Sequence, residues 1–224
     1  MRIAISGVNR GIGEGLALAA LAAGHSIVGI GRQQPSWAGD HKAFAFVDCD
    51  MADHRRLAEV CASIDGPLDA LVCNAAIFGN GAWTADSFDP AALGEAFAVN
   101  TVAPMAMAKA LKPNLEAGSR RLIVMMSTGN ASLSGNTAGT MLGYRLSKSA
   151  LNQGVRSLMA EWGPEGFTIA ALNPGWVKTD MGGPDAEISV GEAALRILAF
   201  VEQVSTRPEI NGAFVNTDGS QLPW

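Results

Sequence analysis

The chain has 224 residues, 48% of them hydrophobic, with 26 glycines and a formal net charge of −5 at pH 7. That length and apolar content fit one α/β domain over residues 1–224, with material for a full core. There is no Lys/Arg cluster of the kind nucleic-acid binding needs, no run approaches the roughly 18 apolar residues of a membrane span, and the start "MRIAISGVNRGIG" lacks the plan of a signal peptide, so a cytoplasmic protein with neither a nucleic-acid nor a membrane partner is expected.

Strand-like runs recur along the chain: "RIAIS" (2–6), "SIVGI" (26–30), "AFAFV" (43–47), "DALVC" (69–73), "RLIVMM" (121–126), "FTIAAL" (167–172) and "GAFVNT" (212–217). They are continuously apolar rather than alternating, which suits strands covered on both faces of a parallel sheet. Helical stretches fall between them at about 11–23, 53–64, 89–113, 143–162 and 189–204. The alternation predicts a doubly wound Rossmann-type α/β fold, with helices on both faces of a sheet of about seven strands. Pro104 is expected to kink or split the third stretch. Residues 174–188, "PGWVKTDMGGPDAEI", read as the longest loop and as a flap beside the site. Cys49, Cys61 and Cys73 lack zinc-site spacing and read as buried thiols.

"SGVNRGIG" (6–13) follows the first strand and opens the first helix. Gly7, Gly11 and Gly13 let the backbone turn tightly and approach a diphosphate, with the helix N-terminus aimed at the anion. A site selective for NAD wants an acid about 20 residues on, yet no Asp or Glu occurs between Gly15 and Gly39, and Arg32 stands in that region. A guanidinium suits a 2'-phosphate, and Arg10 is placed to close on it from the other side. NADP(H) is therefore favoured over NAD(H), two solvated loop arginines being the plainer alternative.

Tyr144 is the only tyrosine in the chain, and Lys148 follows it by four positions. On a helix that spacing puts both on one face. A phenol with a pKa near 10 is a poor acid or base at neutral pH, and a cation close by typically lowers such a pKa by about one to three units. Taken alone, the pair matches many solvated helix faces.

With these motifs in view, the sequence resembles the short-chain dehydrogenase/reductase family over essentially its whole length. The family's TGxxxGIG loop appears as "SGVNRGIG". Its adenine-side acid matches Asp50 with Met51 in "DMAD", and its NNAG appears as "CNAA", with Asn74, Ala75 and, where Gly is usual, Ala76. The helix Asn is Asn100 in "FAVNTVAP", YxxxK is Tyr144 and Lys148, and the PG motif is Pro174 and Gly175. Within the family, "SLSGNTAG", "NPGWVKTDMGG" and "DGSQLPW" are similar to the C-factor and sniffer-type carbonyl reductases.

The resemblance implies hydride transfer between a nicotinamide and a small carbonyl or alcohol substrate, with Tyr144 as the general acid/base. Lys148 would tune the phenol and bond the ribose. Asn100 would hold a water in the proton path, its alternative being a buried Asn that braces the helix near Pro104. The catalytic hydroxyl, usually the second Ser of an SS pair, aligns with Thr128 in "MMSTGN", with Ser127 and then Ser132 as further candidates. Implied cofactor contacts are Gly7, Asn9, Arg10, Gly11, Ile12, Gly13, Arg32, Asp50, Met51, Asn74, Ala75, Ala76, Tyr144, Lys148, Pro174, Gly175, Val177 and Thr179. Trp176 and Met181 stand either in the substrate pocket or as loop anchors. Homodimers and homotetramers occur in the family. The departures at Ala76 and Thr128 keep open a second reading, an NADP(H)-binding signalling or regulatory protein with vestigial turnover. A hydrolase lacks its parts, since there is no G-x-S-x-G motif.

Overall fold

The structure, a computed structural model, describes residues 1–79, 84–87 and 89–224. Its strands are β1 (Arg2–Ser6), β2 (Ser26–Gly31), β3 (Phe44–Asp48), β4 (Ala70–Cys73), β5 (Leu122–Met126), β6 (Thr168–Asn173) and β7 (Phe214–Asn216). They form one parallel sheet in the order β3-β2-β1-β4-β5-β6-β7. Each strand matches a sequence-predicted run to within two residues at either end. Continuous apolarity has the expected cause in the inner strands: neighbouring residues point to opposite faces, and both faces are covered, whereas the edge strand β3 has only half-buried and exposed residues. Ile3, Ile5 and Val124 pack with α1 (Gly11–Ala22) and α6 (Val190–Gln203). Ala4, Ile123 and Met125 pack with α2 (His54–Ala62), α4 (Ala103–Ala117) and α5 (Leu142–Trp162).

Pro104 acts as expected, by a specific route. α3 (Pro90–Phe97), capped by the Asp89 carboxylate on Ala91 N, runs into a π-helical turn at Ala98–Val102 before α4 begins. Pro104 has no N–H to offer the carbonyl of Asn100 four residues back, and the wider turn absorbs that loss. The helical run passes the predicted end at residue 113, because Pro113 is accommodated inside α4. Contrary to the sequence reading, Pro90–Ala117 is long and apolar enough to cross a membrane by length and composition. In this fold Met107, Ala108, Leu111 and Leu115 of that run lie in the core.

The chain builds outward from β1 to β3, then returns to place β4 on the other side of β1. This reversal opens a crevice at the carboxyl ends of β1 and β4, where ligands bind in open α/β sheets.

Gly118, which ends α4, shows how closely the layers approach: a Cβ there would sit 1.9 Å from the Leu68 carbonyl oxygen, whereas one at Gly39 would meet nothing within 4 Å. Gly118→Ala is expected to lower unfolding stability by about 2 kcal/mol and Gly39→Ala to leave it nearly unchanged, as read from urea midpoints.

Candidate active site

The glycine loop is locked from below. The hydroxyl of Ser6, at the end of β1, accepts the amide N–H groups of Asn74 and Ala75, each at 3.0 Å. The Asn74 side chain donates to the carbonyls of Ser6 (3.0 Å) and Gly7 (3.2 Å). Asn74 thus acts on the loop rather than standing open toward a ligand, and Ser6 keeps the hydroxyl for which the family pattern has Thr. Gly7 (φ 75°) and Gly11 (φ 59°) occupy left-handed conformations. A Cβ on Gly13 would lie 2.1 Å from the Gly7 carbonyl, so the loop coils against the first turn of α1 with no room for a side chain. No side chain caps the start of α1 at Arg10, which leaves the positive end of that helix toward the crevice.

One cleft of about 860 Å³ runs along this edge. It is lined by Gly7, Asn9, Arg10, Gly11, Ile12, Arg32, Asp50, Met51, Asn74, Ala75, Ala76, Ser127, Tyr144, Lys148, Pro174 and Thr179 of the expected residues. Met181, one of the two pocket-or-anchor candidates, lines it as well, as do Gln33, Cys49, Ile77, Lys178 and Asp180. The glycine cradle and the uncapped helix start fit a dinucleotide diphosphate. Arg32 stands at one end with Gln33. Arg10, expected to close toward it, instead pairs with the Asp180 carboxylate across the cleft mouth. Both partners are largely exposed, so the pair contributes little and yields readily to a competing anion.

At the other end the single tyrosine meets its partners. The Thr128 hydroxyl stands near enough to the Tyr144 phenol to influence its acidity while accepting the Asn130 amide at 3.2 Å, and the Phe78 ring lies 5.3 Å from the Tyr144 ring centre. Burial pushes the phenol up to about 12, with the Thr128 hydroxyl pulling the other way. The expected lowering by Lys148 is thus not met in the protein alone. The reason is geometric: the lysine ammonium, itself buried, donates to the Met126 carbonyl at 2.7 Å. Burial lowers Lys148 to about 8, the nearby Cys73 thiol opposing the shift.

The three candidate hydroxyls separate. Ser127 borders the cleft, but its Oγ donates to Asn152 Oδ1 at 2.6 Å, away from the phenol. Ser132 Oγ accepts the Gly135 amide at 3.0 Å and reaches toward Trp224. Only Thr128 of the three stands by the Tyr144 phenol. Asn100 lies in the π-helical turn and is fully buried. Its side chain takes the Ile77 N–H (2.8 Å) and donates to the Ile77 carbonyl (2.8 Å) and Ser147 Oγ (3.0 Å). The Asn100 side chain therefore braces the segment after β4 against α5.

Beyond β6, Asn173 Oδ1 accepts the amides of Gly129 (3.2 Å) and Gly175 (3.3 Å), joining the loop after Thr128 to the Pro174–Gly175 turn. Gly175 is left-handed at φ 85°. The expected flap is cross-tied: Lys178 N donates to the Ile188 carbonyl (2.8 Å) and Ile188 N to the Trp176 carbonyl (3.0 Å). Because that bridge uses the residues flanking Val177, the amide of Val177 faces away from Ile188 while its side chain is buried. The Trp176 indole anchors the loop on Gly182 (2.8 Å), while Met181 faces the cleft. Gly13, Asn100, Thr128, Gly175 and Val177 do not line the cleft but shape it from behind or beside it.

Sheet order, glycine cradle and a cleft lined by Tyr144 and Lys148 define a dinucleotide-linked oxidoreductase. The short chain dehydrogenase family model matches residues 2–188, and the chain belongs to that family. Its sequence is 37% identical over 160 residues to the C-signal of Myxococcus xanthus, covering 71% of this chain and 94% of that protein. In structure it is similar to the carbonyl reductase Sniffer of D. melanogaster, with a TM-score of 0.91, 30% identity and coverage of 100% and 99% of the two chains. It is also similar to an NADPH-bound carbonyl reductase from chicken fatty liver, with a TM-score of 0.90, 27% identity and coverage of 100% and 98%.

A buried ammonium lowered to about 8 opposes folding wherever the unfolded lysine is charged and the folded one resists charging. That cost sets in as pH falls from 10.5 to about 8 and is constant below. Lys148→Met is therefore expected to gain on the wild type, by about 3 kcal/mol across that window, in urea midpoints measured as a function of pH.

Proposed function

We propose that the protein is an NADP(H)-dependent carbonyl reductase in which Tyr144 transfers the proton. The observation that carries this reading is a single cleft that brings Tyr144 and Lys148 together with the glycine loop and Arg32. A bound NADPH would supply a hydride. The glycine loop and the start of α1 would hold its diphosphate, Arg32 would pair with its 2'-phosphate, and the Val177 amide would meet its carboxamide. Tyr144 donates its proton to the substrate oxygen as negative charge develops there, and the Thr128 hydroxyl turns its single proton to the same oxygen. Lys148, drawn from Met126 toward the ribose and the phenol, stabilises the phenolate left behind. The NADPH-bound state of the chicken liver relative supports the choice of cofactor.

The likeness to a protein named C-signal favours a second reading, a cofactor-binding signalling protein with weak turnover. Absorbance assays of NADPH and NADH consumption with a panel of aldehydes, ketones and quinones separate the two. The reductase reading expects turnover that falls about 10²- to 10⁴-fold in Tyr144→Phe and survives in Thr128→Ser but not in Thr128→Val. Tight NADPH binding with no turnover across the panel supports the signalling reading. Arg32→Ala is expected to weaken NADPH binding about tenfold or more while sparing NADH, and equal losses for both would remove the 2'-phosphate assignment.

A further inference from the structure

The C-terminal residues take no part in the chemistry just described, yet they touch the active-site loop at two places. After β7 the chain reverses at Asn216–Gly219, where Gly219 N donates to the Asn216 carbonyl (2.9 Å) and Asn216 N to the Ser220 carbonyl (2.9 Å). The returning segment bridges antiparallel to β7 at Val215 and Gln221, and Leu222 N donates to the Phe214 carbonyl at 2.8 Å. The first contact runs through Asn216, whose Oδ1 accepts from Asn173 Nδ2 at 2.8 Å. Asn173 in turn holds the amide of Gly129, the residue after Thr128.

The second contact is made by Trp224. Its backbone oxygen accepts both the Ser134 amide (3.1 Å) and the Ser134 hydroxyl (2.9 Å). The indole is seated 5.6 Å from the Phe214 ring and 5.7 Å from the Arg156 guanidinium of α5, contacts that fix an aromatic ring without enclosing it. The segment between the two contacts begins beside Thr128 and leads into the loop that enters α5 ahead of Tyr144. Ordering such a segment costs backbone entropy, and two fixed ends meet part of that cost before substrate arrives.

We propose that residues 216–224 are a positioning strap for the Thr128 loop, with Trp224 as its anchor, and that the strap governs carbonyl turnover rather than cofactor binding. None of its residues lines the cleft. The proposal rests on the carbonyl reductase reading for its kinetic consequence, but not for its structural one.

The test uses Trp224→Ala, Trp224→Phe and Ser134→Ala in the full chain, with NADPH and 4-nitrobenzaldehyde as probes. In Trp224→Ala, kcat/KM for the aldehyde falls about tenfold or more, the NADPH Kd stays within about twofold, and Trp224→Phe regains most of the loss. Hydrogen exchange rises over residues 129–135 and stays unchanged in β1 and β4. Ser134→Ala, at an exposed position, moves both readouts the same way by less, and carries the test should Trp224→Ala not fold. Unchanged exchange over 129–135, or an equal loss of NADPH affinity, overturns the strap. If the wild type does not reduce the aldehyde, the reductase reading is in question and the exchange comparison alone decides the strap.

Discussion

A lysine ammonium buried to 2% exposure needs a partner, and the end of β5 supplies one: the Met126 carbonyl, 2.7 Å from Lys148 Nζ. An isolated charge in such a place would neutralise or draw in water. Here the cation is held at the point where β5 gives way to the segment carrying Ser127 and Thr128. The strand end, the helix face of α5 and the hydroxyl beside Tyr144 are therefore placed relative to one another by a single contact. The phenol, its acidity set by burial and by Thr128, stays protonated at neutral pH.

Around this contact the buried polar groups serve the backbone. Asn74 and Ser6 fix the glycine loop, and Asn100 ties Ile77 to Ser147. Asn173 joins Gly129 to Gly175. Each satisfies main-chain donors and acceptors that the loops of the crevice cannot pair with one another, as buried backbone groups require. The cleft is thus built before any ligand is present, and preorganisation of this kind is what makes positioned dipoles effective in catalysis. The one buried side-chain atom without a partner among the described residues, Asn152 Nδ2, adjoins the Ser127 contact.

Much of this was legible in the sequence. Seven continuously apolar runs gave the strands, because a strand covered on both faces has no polar side to show, and the glycine spacing gave the loop. What escaped the sequence are relations set by direction rather than identity. "MMSTGN" offers two adjacent hydroxyls, and only the backbone path shows Ser127 turning to Asn152 while Thr128 stands by the phenol. The spacing of Tyr144 and Lys148 put both on one helix face, but not the ammonium on Met126. Arg10 reaches Asp180, 170 residues away in the chain. Asn173 opens the NPG motif, where Pro174 and Gly175 drew the notice, and Phe78, two residues past CNAA, carried no signal.

The central claim, that Lys148 lowers the Tyr144 pKa once a cofactor draws the ammonium off Met126, can be read directly because the chain has one tyrosine. Phenolate absorbance is followed against pH with and without saturating NADP⁺, in the wild type and in Lys148→Met. The account predicts little phenolate in the free protein up to about pH 11, a midpoint lower by about one unit or more in the complex, and no such drop in the variant. A phenolate midpoint that NADP⁺ leaves where it was would contradict it.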